Sequence, residues 1–134
     1  MNDIKKVTDY LDQAGTFYVT TEDGNKPKCR PFSFKLIYEG KIYFGVGDFK
    51  DCYKQLTVNP NVEICASDGK GFVRYYGRAE FVDDPALLDA AFKSVDYLDQ
   101  LYNEATGNKL KMFYLADATA EFRSLTGLLE SIKI

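Results

Sequence analysis

Three short turn signals, Asp23-Gly24-Asn25, Glu39-Gly40 and Asp68-Gly69, each stand between runs rich in β-branched and aromatic residues. Turns this tight join antiparallel strands, because a parallel crossover needs a connection of a dozen or more residues. The runs are TFYVTT, Lys28 to Tyr38, KIYFGVG, VEICAS and FVRYYGRAEFV, with a last one from about Lys111 to Leu125. Six strands on a chain of 134 residues predict a mainly β fold: an antiparallel barrel with peripheral helices, one domain spanning residues 1–134. No strand–helix alternation, G-x-G-x-x-G motif or Walker A loop is present, so a dinucleotide finds no Rossmann cradle.

Helical spacing of Ile4, Val7, Leu11 and Ala14, behind Asn2 or Asp3, predicts an N-terminal helix ended by Gly15. Asp48 is expected to cap a second helix, with Asp51 three positions on as a capping-box partner and Asn59-Pro60 as its stop. Asp84-Pro85 opens a third helix by cap and first-turn proline, and a short one is expected over Tyr97 to Asn103. Pro31 lies inside a strand-like run, which places it at a sheet edge or a bulge.

Composition narrows the chemistry. Histidine is absent, which removes Ser-His and Cys-His nucleophile activation, imidazole general bases and His-based metal or haem ligation. The three cysteines, Cys29, Cys52 and Cys65, form no C-x-x-C pair and read as reduced structural thiols, with no metal site expected. A net charge of −3 attracts no polyanion, so any phosphate site must be built locally. No apolar run is long enough for a membrane span, and the N-terminus lacks the apolar stretch of a secretion signal, so a cytoplasmic protein is expected. Ten Tyr and ten Phe fill a core first, and they also suit walls for a planar ligand.

The segment Lys28 to Pro60 brings these threads together. Arginine entering an extended run, then a helix start flanked by lysines, suits a phosphate attached to a flat aromatic body. Its motifs RPFSF, KIYFGVG and KDCYKQLTVNPNVEICA, followed by GFVRYYGRAEFVDD and the closing YLADATAEFRSLTG, arrive in a familiar order. Together they resemble the pyridoxamine 5′-phosphate oxidase-like family of FMN-binding split barrels, above all its short oxidase-related and nitroimidazole-reductase-like members. The resemblance implies a six-stranded barrel acting as a homodimer, with two FMN molecules at the subunit interface.

It also implies roles for residues. Arg30 would bond the phosphate or ribityl chain, and Pro31, Phe32 and Ser33 would line the ring edge. Val46 and Gly47 would end the neighbouring strand, the glycine permitting close approach. Lys50, Lys54 and the helix-start amides would cage the phosphate, while Gln55 would bond ring or ribityl. Phe72 and Arg74 of a second subunit would close over the cofactor. No protein acid or nucleophile is evident, so no catalytic side chain is expected. The implied activity is a small flavin-dependent oxidoreductase, taking hydride from diffusible NAD(P)H for a small-molecule acceptor.

Two departures qualify this. The Ser-Arg-Lys phosphate cluster of the vitamin-making oxidase is replaced by Lys50-Asp51-Cys52, and that enzyme's C-terminal His and Arg have no counterpart, so authentic pyridoxamine phosphate oxidase activity is not expected. The histidine that nitroimidazole reductases commonly carry near the flavin is also missing. A flavin-binding or sensor protein without turnover stays open on the same fold. Lys70 to Tyr76 half-matches an RNA-recognition strand, but Val73 and Arg74 occupy places that need a small and an aromatic residue, so no nucleic-acid partner is expected.

Overall fold

The computed structural model describes residues 2–134. Helix α1 (Asn2–Ala14) leads into β1 (Phe17–Asp23) and β2 (Lys26–Phe32), then β3 (Leu36–Tyr38) and β4 (Lys41–Gly47). Helix α2 (Asp51–Val58) precedes β5 (Asn61–Ser67) and the long β6 (Gly71–Val82). Helices α3 (Pro85–Ser94) and α4 (Leu98–Leu101) separate these from β7 (Leu110–Ser124) and β8 (Leu128–Lys133). Every pairing is antiparallel, and the hydrogen-bonded path runs β2-β1-β5-β6-β7-β4-β3, with β8 on the far side of β7.

The sheet curls into a barrel, and one contact proves it. Phe17 on β1 and Phe44 on β4 are four strands apart along the path, roughly 19 Å in a flat sheet. Their rings nonetheless meet edge-on at 5.6 Å. Phe44 also packs against Tyr75 and Phe113, and with Val7 and Leu11 of α1 these residues form one buried core. A second apolar cluster lies outside the barrel, where Leu87 and Ala91 of α3 and Leu98 of α4 bury Tyr43, Leu110 and Met112.

The path does not close. Its two end strands, β2 and β3, are consecutive in sequence and joined only by residues 33–35. β3 covers β4 only from Lys41 to Tyr43, whereas β7 pairs β4 from Phe44 to Gly47. The far edge of Phe44–Gly47 and the free edge of β2 therefore face each other without a ladder between them. This is the split in the barrel.

Eight strands replace the six expected. The run Lys28 to Tyr38 breaks past Pro31 into β2 and β3, a consequence of the proline edge position. The final run gains β8 after a turn in which Ser124 donates its N–H to the Gly127 carbonyl at 2.9 Å. β8 escaped notice because nearly all its side chains are exposed and its alternation is weak. The second helix also starts later than expected. Asp48 accepts a bond from the Lys109 amide at 3.1 Å instead of capping, and Lys50 is the N-cap without a side-chain bond. Asp84 and Pro85 do open α3 as read: the Asp84 carboxylate accepts from the Ala86 amide.

Candidate functional site

A groove of about 620 Å³ fills the split, within the range of ligand sites. One wall is β2 and its continuation, Arg30 to Phe34; the other is the open edge of β4, Gly45 to Gly47. The start of α2, Lys50 to Cys52, closes one end, and α4 with Tyr97, Leu101 and Tyr102 forms a lid-like flank. Both strand walls carry backbone N–H and C=O groups that no neighbouring strand satisfies, a ready-made polar edge for a ligand.

Arg30 is held in place by neutral oxygens. One guanidinium nitrogen donates to Thr21 Oγ1 at 2.7 Å and to the Val19 and Lys28 carbonyls at 3.2 Å. The other donates to Gln55 Oε1 at 2.9 Å, and the Thr21 hydroxyl donates to the same Gln55 oxygen at 2.5 Å. Thr21 is 1% exposed, so this clamp is anchored in the barrel wall. Among the described residues Arg30 and Lys50 have no carboxylate within ion-pair distance, although Asp51 also borders the groove. Two groove cations thus lack a counter-charge, and the first turn of α2 adds the positive end of its dipole.

The cysteine and phenol of the groove are held in their neutral forms. Burial pushes the Cys52 thiol up, with Arg30 pulling the other way, which favours the thiol over the thiolate. Burial likewise raises the Tyr102 hydroxyl, with Asp48 adding to it. Among the described residues no cluster of His, Cys, Asp or Glu stands ready to hold a metal.

The structure brings Arg30, Pro31, Phe32, Ser33, Val46, Gly47 and Lys50 together on one groove. Gln55 reaches it only through Arg30, as the acceptor that orients the guanidinium. Lys54 is exposed and lies off the groove. Val46 contributes main chain only, since its side chain belongs to the core. The close approach at Gly47 is made by the chain itself: an added Cβ would meet the Phe49 ring at 2.6 Å and the Tyr102 ring at 3.1 Å. Phe72 and Arg74 are absent from the groove of their own chain, and Arg74 forks onto Glu63 at 2.8 and 3.0 Å. Thr21 and the α4 residues were not read from sequence. Thr21 looks like any inward strand residue, and α4 lies about fifty residues beyond the groove's other walls.

A barrel split along one seam, with a groove of ligand size and an uncompensated arginine clamped in it, defines a class of ligand-binding split barrels. Residues 4–121 match the family model for pyridoxamine 5′-phosphate oxidase, and the chain belongs to that family. Among solved structures, a NimC/NimA family protein from Clostridium acetobutylicum is similar with a TM-score of 0.89 at 28% identity, over 99% of this chain and 93% of that one. General stress protein 26 from Bacillus anthracis is similar over 100% of both chains, at 14% identity and a TM-score of 0.73. A heme-binding protein from Mycobacterium smegmatis shares the fold over 92% of this chain and 55% of its own, at 16% identity and a TM-score of 0.67. No curated protein matches the chain. No helix among the described residues is long and apolar enough to cross a membrane.

Proposed function

We propose that the chain binds FMN in the split and acts, as a homodimer, as a small flavin-dependent oxidoreductase. The observation that carries this reading is Arg30: a guanidinium fixed on neutral oxygens, without a counter-charge, beside the helix start and two unpaired strand edges. Such a site selects a ligand with an anionic end and a flat body whose rim is polar. Lys50 and the first-turn amides of α2 would hold the phosphate with Arg30. The open edges of β2 and β4 would meet the ring's polar rim. The chain has no histidine to ligate a haem, and burial raises the pKa of Cys52, the groove's cysteine.

What one chain leaves uncovered supports the dimer in this reading. None of the seven residues of β2 is buried, and beyond the α4 flank the groove has no cover of its own. A second copy supplies one, and two-fold symmetry makes two equivalent sites. Phe72 and Arg74, off the groove of their own chain, are the partner residues this reading assigns to that roof.

FMN in this groove would supply two-electron chemistry between a diffusible nicotinamide nucleotide and a small acceptor. The chain's part is placement. Backbone amides at the ring's polar rim, or Arg74 of the second copy, would favour the negative charge that develops on the reduced ring, and so favour the reduced state. Phe49, Tyr97 and Leu101, each at least two-fifths exposed, leave an apolar rim on which a flat substrate can stack. Anaerobic NADPH or NADH should bleach the flavin of the purified protein, and a quinone should restore the colour. Failure to bleach with either nucleotide would reduce the reading to a flavin carrier.

A further inference from the structure

Lysines continue where the groove stops. Lys28 stands two residues before Arg30 on the same side of β2, roughly 7 Å along the strand. Lys54 stands one turn beyond Lys50 on α2, about 5–6 Å away. Thr21 is opposite Lys28 in the β1–β2 register, and its hydroxyl donates to Gln55, the neighbour of Lys54. The two lysines therefore flank one joint between hairpin and helix, and both are exposed.

The charges of this strip do not cancel. Among the described residues Lys28, Arg30, Lys50 and Lys54 have no carboxylate within ion-pair distance, whereas Arg74, Arg78 and Arg123 each have one. Of the nearby acids, Asp23 is opposite Lys26, and Glu22 faces a separate hollow with Tyr76 and Arg78. Asp48 accepts the Lys109 amide on the α4 side. Asp51 alone offsets the four cations, so three positive charges remain on a chain of net charge −3. A phosphate held by Arg30 and Lys50 would still leave Lys28 and Lys54 free, just outside the groove.

An open strip of lysines suits an anion that comes and goes. NADPH differs from NADH by one ribose phosphate, worth nearly two negative charges, at the end remote from the nicotinamide. We propose, resting on the FMN reading of the split, that Lys28 and Lys54 dock this 2′-phosphate and so select NADPH over NADH. Lysine serves here as a point charge for phosphate.

Adenosine 2′,5′-bisphosphate and AMP, titrated calorimetrically into the FMN-saturated chain, isolate the phosphate from hydride transfer. At low salt the bisphosphate binds about tenfold more tightly, and added salt narrows the gap. Lys28→Gln and Lys54→Gln each shrink it about threefold with FMN still bound, while Lys70→Gln, at the β5–β6 turn, leaves it unchanged. No saturable heat, equal binding of the two nucleotides, a gap that survives in both variants, or release of FMN by the bisphosphate overturns the proposal and leaves the flavin reading standing. Failure to take up FMN overturns that reading and this proposal with it.

Discussion

The Arg30 guanidinium rests on the side-chain oxygen of Gln55 at 2.9 Å, joining the edge strand β2 to the helix α2 across the mouth of the split. The bond does more than fix a rotamer. It ties the two elements that carry the groove's cations, and it uses an uncharged acceptor, so the full positive charge of Arg30 is left for a ligand. Arg30→Ala and Lys50→Ala should each weaken FMN binding by about 1–3 kcal/mol, the range for lost charged hydrogen bonds. Gln55→Ala should cost about 1 kcal/mol, since it removes only the orientation. Quenching of FMN fluorescence on titration with apoprotein reads all three, and unchanged affinity in both cation variants would remove the phosphate cage.

Glycines separate folding from function. A Cβ at Gly71 would lie 2.2 Å from the Arg123 carbonyl oxygen, and one at Gly77 would lie 2.6 Å from that of Ala116. Both obstacles are backbone in the β6–β7 ladder and cannot step aside. Gly71→Ala should therefore destabilise by about 2–4 kcal/mol, read from urea midpoints. Gly47→Ala meets instead the end of the half-exposed Phe49 ring, which can swing out. Its stability should change by under about 1 kcal/mol, while FMN affinity changes with the reshaped groove.

Asp68 makes a pH-dependent contribution of known sign. The Gly71 and Lys70 amides donate to its carboxylate at 3.0 and 2.9 Å and hold its pKa below the ordinary value. A carboxyl depressed in the folded state stabilises fully above its unfolded value, about 4. That stabilisation is lost as pH falls through the lower, folded value. Urea midpoints measured from about pH 6 to pH 2 should fall less steeply in Asp68→Asn than in the wild-type chain. Parallel curves would show that this turn does not titrate with folding.

The α3 cap offers a simpler check. Asp84→Ala removes the carboxylate that accepts the Ala86 amide at 3.0 Å. A loss of about 1 kcal/mol is expected, since Pro85 still favours the start. Asp48→Ala, which takes away no cap, should leave helix content unchanged by circular dichroism.

Much of this was legible in the chain because local rules and tertiary outcome agree. Asp23-Gly24-Asn25 makes the β1–β2 hairpin, with Asp23 opposite Lys26, and Asn59-Pro60 stops α2. Seven groove residues lie close together in sequence, between Arg30 and Lys50, and this proximity made them findable. What escaped depends on distant partners. Asp48 had the chemistry of a cap, but the Lys109 amide, sixty-one residues on, claimed it. Thr21 orients Arg30 only because β1 and β2 pair in one register. Tyr97 and Tyr102 reach the groove because α3 and α4 fold back over β3, β4 and β7, which no local pattern announces.

The visible absorption spectrum of the purified protein, with its chromophore extracted and weighed by mass spectrometry, bears most directly on the proposed role of the split. The account predicts yellow protein releasing FMN, approaching one molecule per chain after reconstitution and falling sharply in Arg30→Ala. Colourless wild-type protein that takes up no added FMN, or one whose uptake is indifferent to Arg30, would contradict it.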